Sequence, residues 1–208
     1  MTVRHSATPL LDLRTDTSSV TATFPTFTLN LNLLADQWTL TTFPAESLVE
    51  LTIELPGHWY GHGELINQLW PLNRVMLQSA PMHTFDNGPT GLSGKLTPAW
   101  FSSNGALIIA DSPVEVGINQ PPANYPRFKW SFVTEGRGAF EDRPFEDPDM
   151  VGDGVFTFKG NALDLKFSFT ENAVKAYEKL FEHFGHPTET PPEDLFTKPT
   201  WTTWARYK

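Results

Sequence analysis

Apolar and polar residues alternate with period two along three separate stretches of this chain, and that pattern leaves little choice of fold. Phe27, Leu29, Leu31 and Leu33 fall on one side, with Thr28, Asn30 and Asn32 on the other. Val49, Leu51, Ile53 and Leu55 repeat the pattern against Glu50, Thr52 and Glu54, and Leu163, Leu165, Phe167 and Phe169 repeat it against Asp164, Lys166 and Ser168. Successive side chains of a strand point to opposite faces, so such runs are strands with one face buried and one wet. Shorter runs at Trp38–Thr41, Ala106–Ala110, Phe128–Val133 and Val155–Phe158 read as further strands, and the Asp, Asn, Gly and Pro residues between them supply turns. Many short, one-sided strands pack as antiparallel sheets face to face, whereas the strands of a doubly wound parallel sheet are apolar on both sides. The predicted class is an all-β antiparallel sandwich.

One segment has helical spacing instead. Val174, Tyr177, Phe181 and Phe184 recur at intervals of three and four, which places them on one face of a helix near residues 171–184. Thr170 stands where an N-cap is expected, and Gly185 and Pro187 end the run. The Pro- and acid-rich stretch from His186 to Lys198 then reads as an extended connector. Beyond it the chain turns aromatic again, with Trp201, Trp204 and Tyr207. The expected division is a sandwich over 1–186, a linker over 187–198 and the opening strand of a further unit over 199–208. As the end of a finished domain, that last run would be an unpaired apolar edge.

Composition removes several functions. The formal net charge is −9 and the basic residues are scattered singly, so a phosphate backbone has no basic surface to meet and no nucleic-acid partner is expected. There is no cysteine, which excludes disulfides, thiolate metal sites and cysteine nucleophiles. No apolar run has the length of a membrane span, and residues 1–14 carry only Leu10-Leu11 and no signal-peptide apolar region, so no membrane partner is expected and the absences lean toward the cytoplasm. With hydrophobic residues at 39% and aromatics at 13%, a sizeable core is available.

Two segments carry a family resemblance. Gly57-His58-Trp59-Tyr60-Gly61-His62-Gly63-Glu64 is followed by Gln68-Leu69-Trp70-Pro71-Leu72-Asn73, and the chain closes on Lys198-Pro199-Thr200-Trp201-Thr202-Thr203-Trp204-Ala205-Arg206-Tyr207-Lys208. In this order they resemble glycoside hydrolase family 31, and within it the branch that includes the myogenesis-regulating glycosidase. Phe85-Asp86 and Trp100-Phe101-Ser102-Ser103-Asn104-Gly105 look like further stretches of that family, so the resemblance runs from about Pro56 to Lys208. Two departures stand out: an imidazole, His62, occupies a turn position where the family usually has a small residue, and Asp86 is followed by Asn87-Gly88 where the family has a hydrophobic residue.

The resemblance implies a galactose mutarotase-like sandwich with one C-terminal helix, then the first strand of a (β/α)8 barrel that this chain does not contain. It implies the N-terminal part of an α-glycosidase acting with retention, leaning toward α-galactosides, whose partners are a carbohydrate and the downstream barrel. Retaining glycosidases use two carboxylates about 5–5.5 Å apart. The family sets both on later barrel strands, so this chain is expected to hold no catalytic residue, to need no cofactor and to be inactive alone. By the same resemblance Asp86 is a substrate-binding residue on a loop reaching the barrel mouth, and Trp204 lies in the floor of the sugar pocket. By residue type alone, Asp86-Asn87-Gly88 is also ordinary turn chemistry and a tryptophan is most often core.

His58, His62 and Glu64 have a metal-like spacing, but Gly57, Gly61 and Gly63 break any helix there, and no metal site is expected. The acidic pairs Glu141-Asp142 and Glu146-Asp147 read as solvated loop charges, Trp201 as structural, and Trp59, Trp70, Trp100 and Trp130 mostly as core. The alternative function is a free-standing carbohydrate-binding or mutarotase-like module, since aromatics and one acid suffice to hold a sugar. A sandwich with no ligand at all is a third option.

Overall fold

The computed structural model describes residues 2–4, 10–44, 48–63, 70–74, 77–81, 96–119, 154–186 and 188–198. Its strands are β1 (Thr2–Arg4), β2 (Asp12–Thr15), β3 (Ser19–Thr23), β4 (Thr28–Leu34), β5 (Gln37–Phe43), β6 (Val49–Glu54), β7 (Trp59–Gly63), β8 (Leu77–Pro81), β9 (Leu96–Ser102), β10 (Ala106–Ala110), β11 (Glu115–Ile118), β12 (Val155–Gly160) and β13 (Asp164–Phe169). Helix α1 covers Ala173–Phe184, α2 is a single turn at Asp194–Thr197, and a 3-10 turn spans Leu72–Arg74. Among the described residues the strands form a five-stranded sheet, β1-β6-β12-β11-β8, and an eight-stranded sheet, β2-β3-β4-β5-β13-β10-β9-β7. The pairings are antiparallel, as one-sided alternation predicts, and the all-β sandwich class holds.

The two sheets bury one core between them. Val49, Leu51 and Ile53 point into it while Glu50, Thr52 and Glu54 stay half exposed, the alternation expected of β6. Opposite them, Leu40, Ile108, Leu165 and Phe167 face inward from the eight-stranded sheet, with Ile108 paired to Phe167 and Leu165 to Leu40. Trp59 and Trp100 are fully buried against Phe156 and Phe158, edge-on at ring separations of 4.9 Å for Trp59–Phe156 and 5.3 Å for Trp100–Phe158. Edge-to-face packing sets a positive ring edge on a negative face and adds to the area buried.

The expected alternation fails at one end of β13. Ser168 is buried and Phe169 is half exposed, because Phe169 pairs with Ala106 at the end of the ladder and the chain leaves the sheet at Thr170. Strand β10 departs in the other direction, since every residue of Ala106–Ala110 is buried. Ala106, Ile108 and Ala110 face the sandwich core, while Leu107 and Ile109 lie with Ala99 under Ala176 of α1. The helix covers part of the outer face, so a strand there is apolar on both sides.

Helix α1 sits where its spacing predicts, but the residue buried deepest against the sheet is not one of the spaced apolar set. Ala176 is fully buried, and Leu180 packs with it against Leu107 and Ile109. Val174, Tyr177 and Phe184 stay exposed, at 65%, 45% and 53% of their surface. A methyl side chain lets the helix approach the sheet closely, while of the bulky stripe Tyr177 meets Phe101 of β9 and Phe181 is half-buried. The cap also falls two residues later than Thr170: Asn172 Oδ1 accepts the Lys175 N–H at 3.1 Å. Thr170 instead donates its hydroxyl to the Gly105 carbonyl at 2.9 Å. At the other end, His183 Nε2 meets Asp111 Oδ1 at 2.9 Å, and Lys166 pairs with the same carboxylate. Burial pushes the Asp111 carboxyl up, but Lys166 and His183 outweigh it and hold it below the ordinary range. The connector is not extended throughout, as α2 interrupts it with Lys198 N–H bonded to the Asp194 carbonyl. Among the described residues, no helix is long and apolar enough to cross a membrane.

Candidate functional site

The Gly57–Asn73 segment that carries the first family signature is folded tightly against β9. Gly61 has φ of +111°, and a Cβ there would lie 2.3 Å from the Ala99 carbonyl oxygen, so only glycine fits. The next residue breaks the ladder: Gly61 faces Trp100 but His62 faces Thr97, a β-bulge. Bulges turn side chains to new directions, and this one turns His62 inward. Asn73 fixes the start of the strand, accepting the Trp59 N–H at 2.8 Å and donating to the Gly57 carbonyl at 3.0 Å. Asn119 braces the 3-10 turn from behind, donating to the Leu72 carbonyl at 3.1 Å and accepting the Gly154 and Val155 N–H groups.

His62 is 1% exposed and holds a left-handed φ of 67°, a conformation uncommon for residues other than glycine. Its Nδ1 accepts the Trp100 indole N–H at 3.1 Å. An indole N–H only donates, so Nδ1 must be bare and the neutral ring carries its proton on Nε2. That Nε2 has no hydrogen-bond partner among the described residues. Burial pushes the imidazole down to about 4. His58, by contrast, is exposed and lies outside β7, so the two imidazoles of the metal-like spacing do not converge. Among the described residues, no three His, Asp or Glu side chains gather as a metal site would require.

Alternation along β7 and β9 separates their aromatics into two sets. Trp59 and Trp100 face the core, and Tyr60 and Phe101 face out. Tyr60 stacks on both Trp70 and Phe101, with ring separations of 5.7 Å and interplanar angles of 18° and 27°. Phe101 leans on Tyr177 of α1 at 5.4 Å. Between these rings and the first turn of α1 lies an open groove of about 740 Å³, bounded on the helix side by Asn172, Val174, Lys175 and Glu178. Trp70, 45% exposed, forms part of its wall. The four tryptophans therefore divide: Trp59 and Trp100 are core, Trp70 is half exposed, and Trp130 lies outside the described residues.

Asp86 and Trp204, the two residues expected to bind substrate, also lie outside the described residues, as do Trp201, Glu64, the acidic pairs and the Phe128–Val133 strand. Strand β8 ends at Pro81 in the five-stranded sheet and β9 begins at Leu96 in the eight-stranded one, so the segment holding Asp86 links the two sheets. Sequence reasoning missed Tyr60 and Phe101 as surface residues. The signal was present, since each is the neighbour of a core tryptophan on a strand and must point the other way.

A two-sheet sandwich with a helix on its outer face is an architecture found in glycosidases. It is similar to part of a family 31 sulfoquinovosidase from E. rectale, solved with an aza-sugar inhibitor, with a TM-score of 0.56 over 86% of this chain at 12% identity. A family 31 dextranase from Flavobacterium johnsoniae, solved with glucose, matches less closely, with a TM-score of 0.40 over 82% of this chain at 11% identity. This chain spans 26% of the sulfoquinovosidase and 20% of the dextranase. No curated protein matches the sequence. The profile of the myogenesis-regulating glycosidase N-terminal domain matches residues 10–185, and the chain belongs to that family. The N-terminal domain of the myogenesis-regulating glycosidase branch, expected from the Gly57–Asn73 and Lys198–Lys208 segments together, is thus the family that matches.

Proposed function

We propose that this chain supplies the N-terminal sandwich of a retaining family 31 α-glycosidase, supporting a catalytic barrel over which it completes the sugar pocket. The observation that carries this reading is the family match over residues 10–185, and the fold shared with the sulfoquinovosidase agrees with it. Residues 187–198 are the connector and 199–208 the opening barrel strand. Asp86 accepts hydrogen bonds from sugar hydroxyls, a task suited to a carboxylate with two acceptor oxygens. Trp204 packs its indole face against the C–H face of a pyranose. The nucleophile and the acid/base are aspartates of the barrel, so bond cleavage belongs to the assembled enzyme.

The purified 208-residue chain should therefore release no nitrophenol from nitrophenyl α-glucoside or α-galactoside. Retaining hydrolysis by this chain, abolished in Asp86→Ala, would overturn the proposal.

A further inference from the structure

We propose that the groove between α1 and the Trp70–Tyr60–Phe101 ring row binds a neutral oligosaccharide. Its size points to a small ligand: about 740 Å³ lies within the roughly 300–1,000 Å³ of small-molecule sites. A protein partner would need some 20–30 residues a side, and among the described residues nine line this groove. Its chemistry points to a sugar. The three rings run nearly parallel, at 18° and 27° from one to the next, so the outermost, Trp70, is held in a fixed plane. A braced ring of that kind offers a flat π-face to the axial C–H bonds of a pyranose.

The opposite wall supplies what hydroxyls need. Glu178 is an acceptor, Lys175 a donor, and Asn172 carries amide N–H donors beside the oxygen that caps α1. Charge selects against ions, because Lys175 and Glu178 are paired at 2.7 Å and the chain as a whole is at −9. A neutral polyol suits such a wall better than a phosphorylated or sulfated glycan. Among the described residues the groove is open and not an enclosed cavity, so it accommodates a chain of sugars and not only a single ring. Its residues all belong to this chain, and the inference goes beyond the proposed role in a glycosidase without depending on the barrel.

Calorimetric titration of the purified chain with neutral gluco-, galacto- and manno-trisaccharides tests it. At least one should bind with Kd on the order of 1 mM. Trp70→Ala should weaken that binding about tenfold or more, and so should Val174→Glu, a change at a solvent-facing helix position where folding is not at stake. Leu34→Ala, exposed and away from the groove, should leave it unchanged. Absence of heat with every trisaccharide, or equal binding by folded Trp70→Ala and Val174→Glu, overturns the proposal. So does a dimer in sedimentation that Val174→Glu dissociates, since the groove would then be a protein interface. A silent titration together with absent hydrolysis sinks this inference alone and leaves the glycosidase role standing.

Discussion

On its inner face the eight-stranded sheet presents Leu40, Ile108, Leu165 and Phe167, all at 0–1% exposure, to the second sheet. On its outer face, among the described residues, Ala99, Leu107 and Ile109 are buried under Ala176 and Leu180 of one helix, and the neighbouring Tyr60 and Phe101 remain half exposed. The inner face is closed by large side chains interlocking over two sheets, and the outer by a small residue that lets a helix lie flat. The larger buried cluster therefore lies on one side of the sheet. The other side is left free to carry rings and polar groups at the surface, which is where a ligand can reach them.

The sharpest way to break this contrast is to empty the inner face. Trp100→Ala removes a buried indole and strands the His62 Nδ1 that it serves, and should cost about 3–5 kcal/mol in urea unfolding. Leu107→Ala, on the outer face, should fall nearer ~2 kcal/mol, because α1 can settle into the gap. Equal losses at the two sites would erase the distinction.

The second test uses pH. His62 has a folded pKa near 4, depressed by burial from an ordinary 6.5. The unfolded chain takes up a proton below 6.5 that the folded chain refuses until about 4. Stability from this group is therefore complete above 6.5 and lost as pH falls through that window, by roughly 3 kcal/mol in all. His62→Asn, which tolerates a left-handed φ, should flatten the decline in melting temperature between pH 6.5 and 4 relative to the parent. An unchanged slope would show that the imidazole is not the inner-face group that acid attacks.

The smallest effect is expected outside. Asn172→Ala removes the cap of α1 and should cost about 1 kcal/mol. Hydrogen exchange should quicken in the α1 amides while those of β6 keep their protection. Acceleration spread evenly over both would mean that helix and core open together.

Much of this was legible in the alternation. Strand β6 behaves as its sequence reads because one face meets the second sheet and the other meets water. Strand β10 could not be read so, since an all-apolar run does not reveal that a helix forms its second cover. The Val174–Tyr177–Phe181–Phe184 stripe was legible as one face of α1, but counting apolar residues does not reveal that the residue set deepest against the sheet is an alanine. His62 was visible as a departure from the family, while its burial depends on a bulge set by Gly61 against the Ala99 carbonyl, a contact between residues far apart in sequence. The roles of Asp86 and Trp204 came from resemblance, and their neighbours in sequence do not specify them.

Gly105 ties these regions together. A Cβ there would meet the Thr170 carbonyl oxygen at 2.1 Å, and Thr170 returns both its N–H and its hydroxyl to the Gly105 carbonyl. The hairpin tip joining β9 to β10 and the entry to α1 are therefore clasped together at one corner. The entry to the surface helix is thereby bonded to the same hairpin whose first strand carries the buried Trp100, so the two share one anchor.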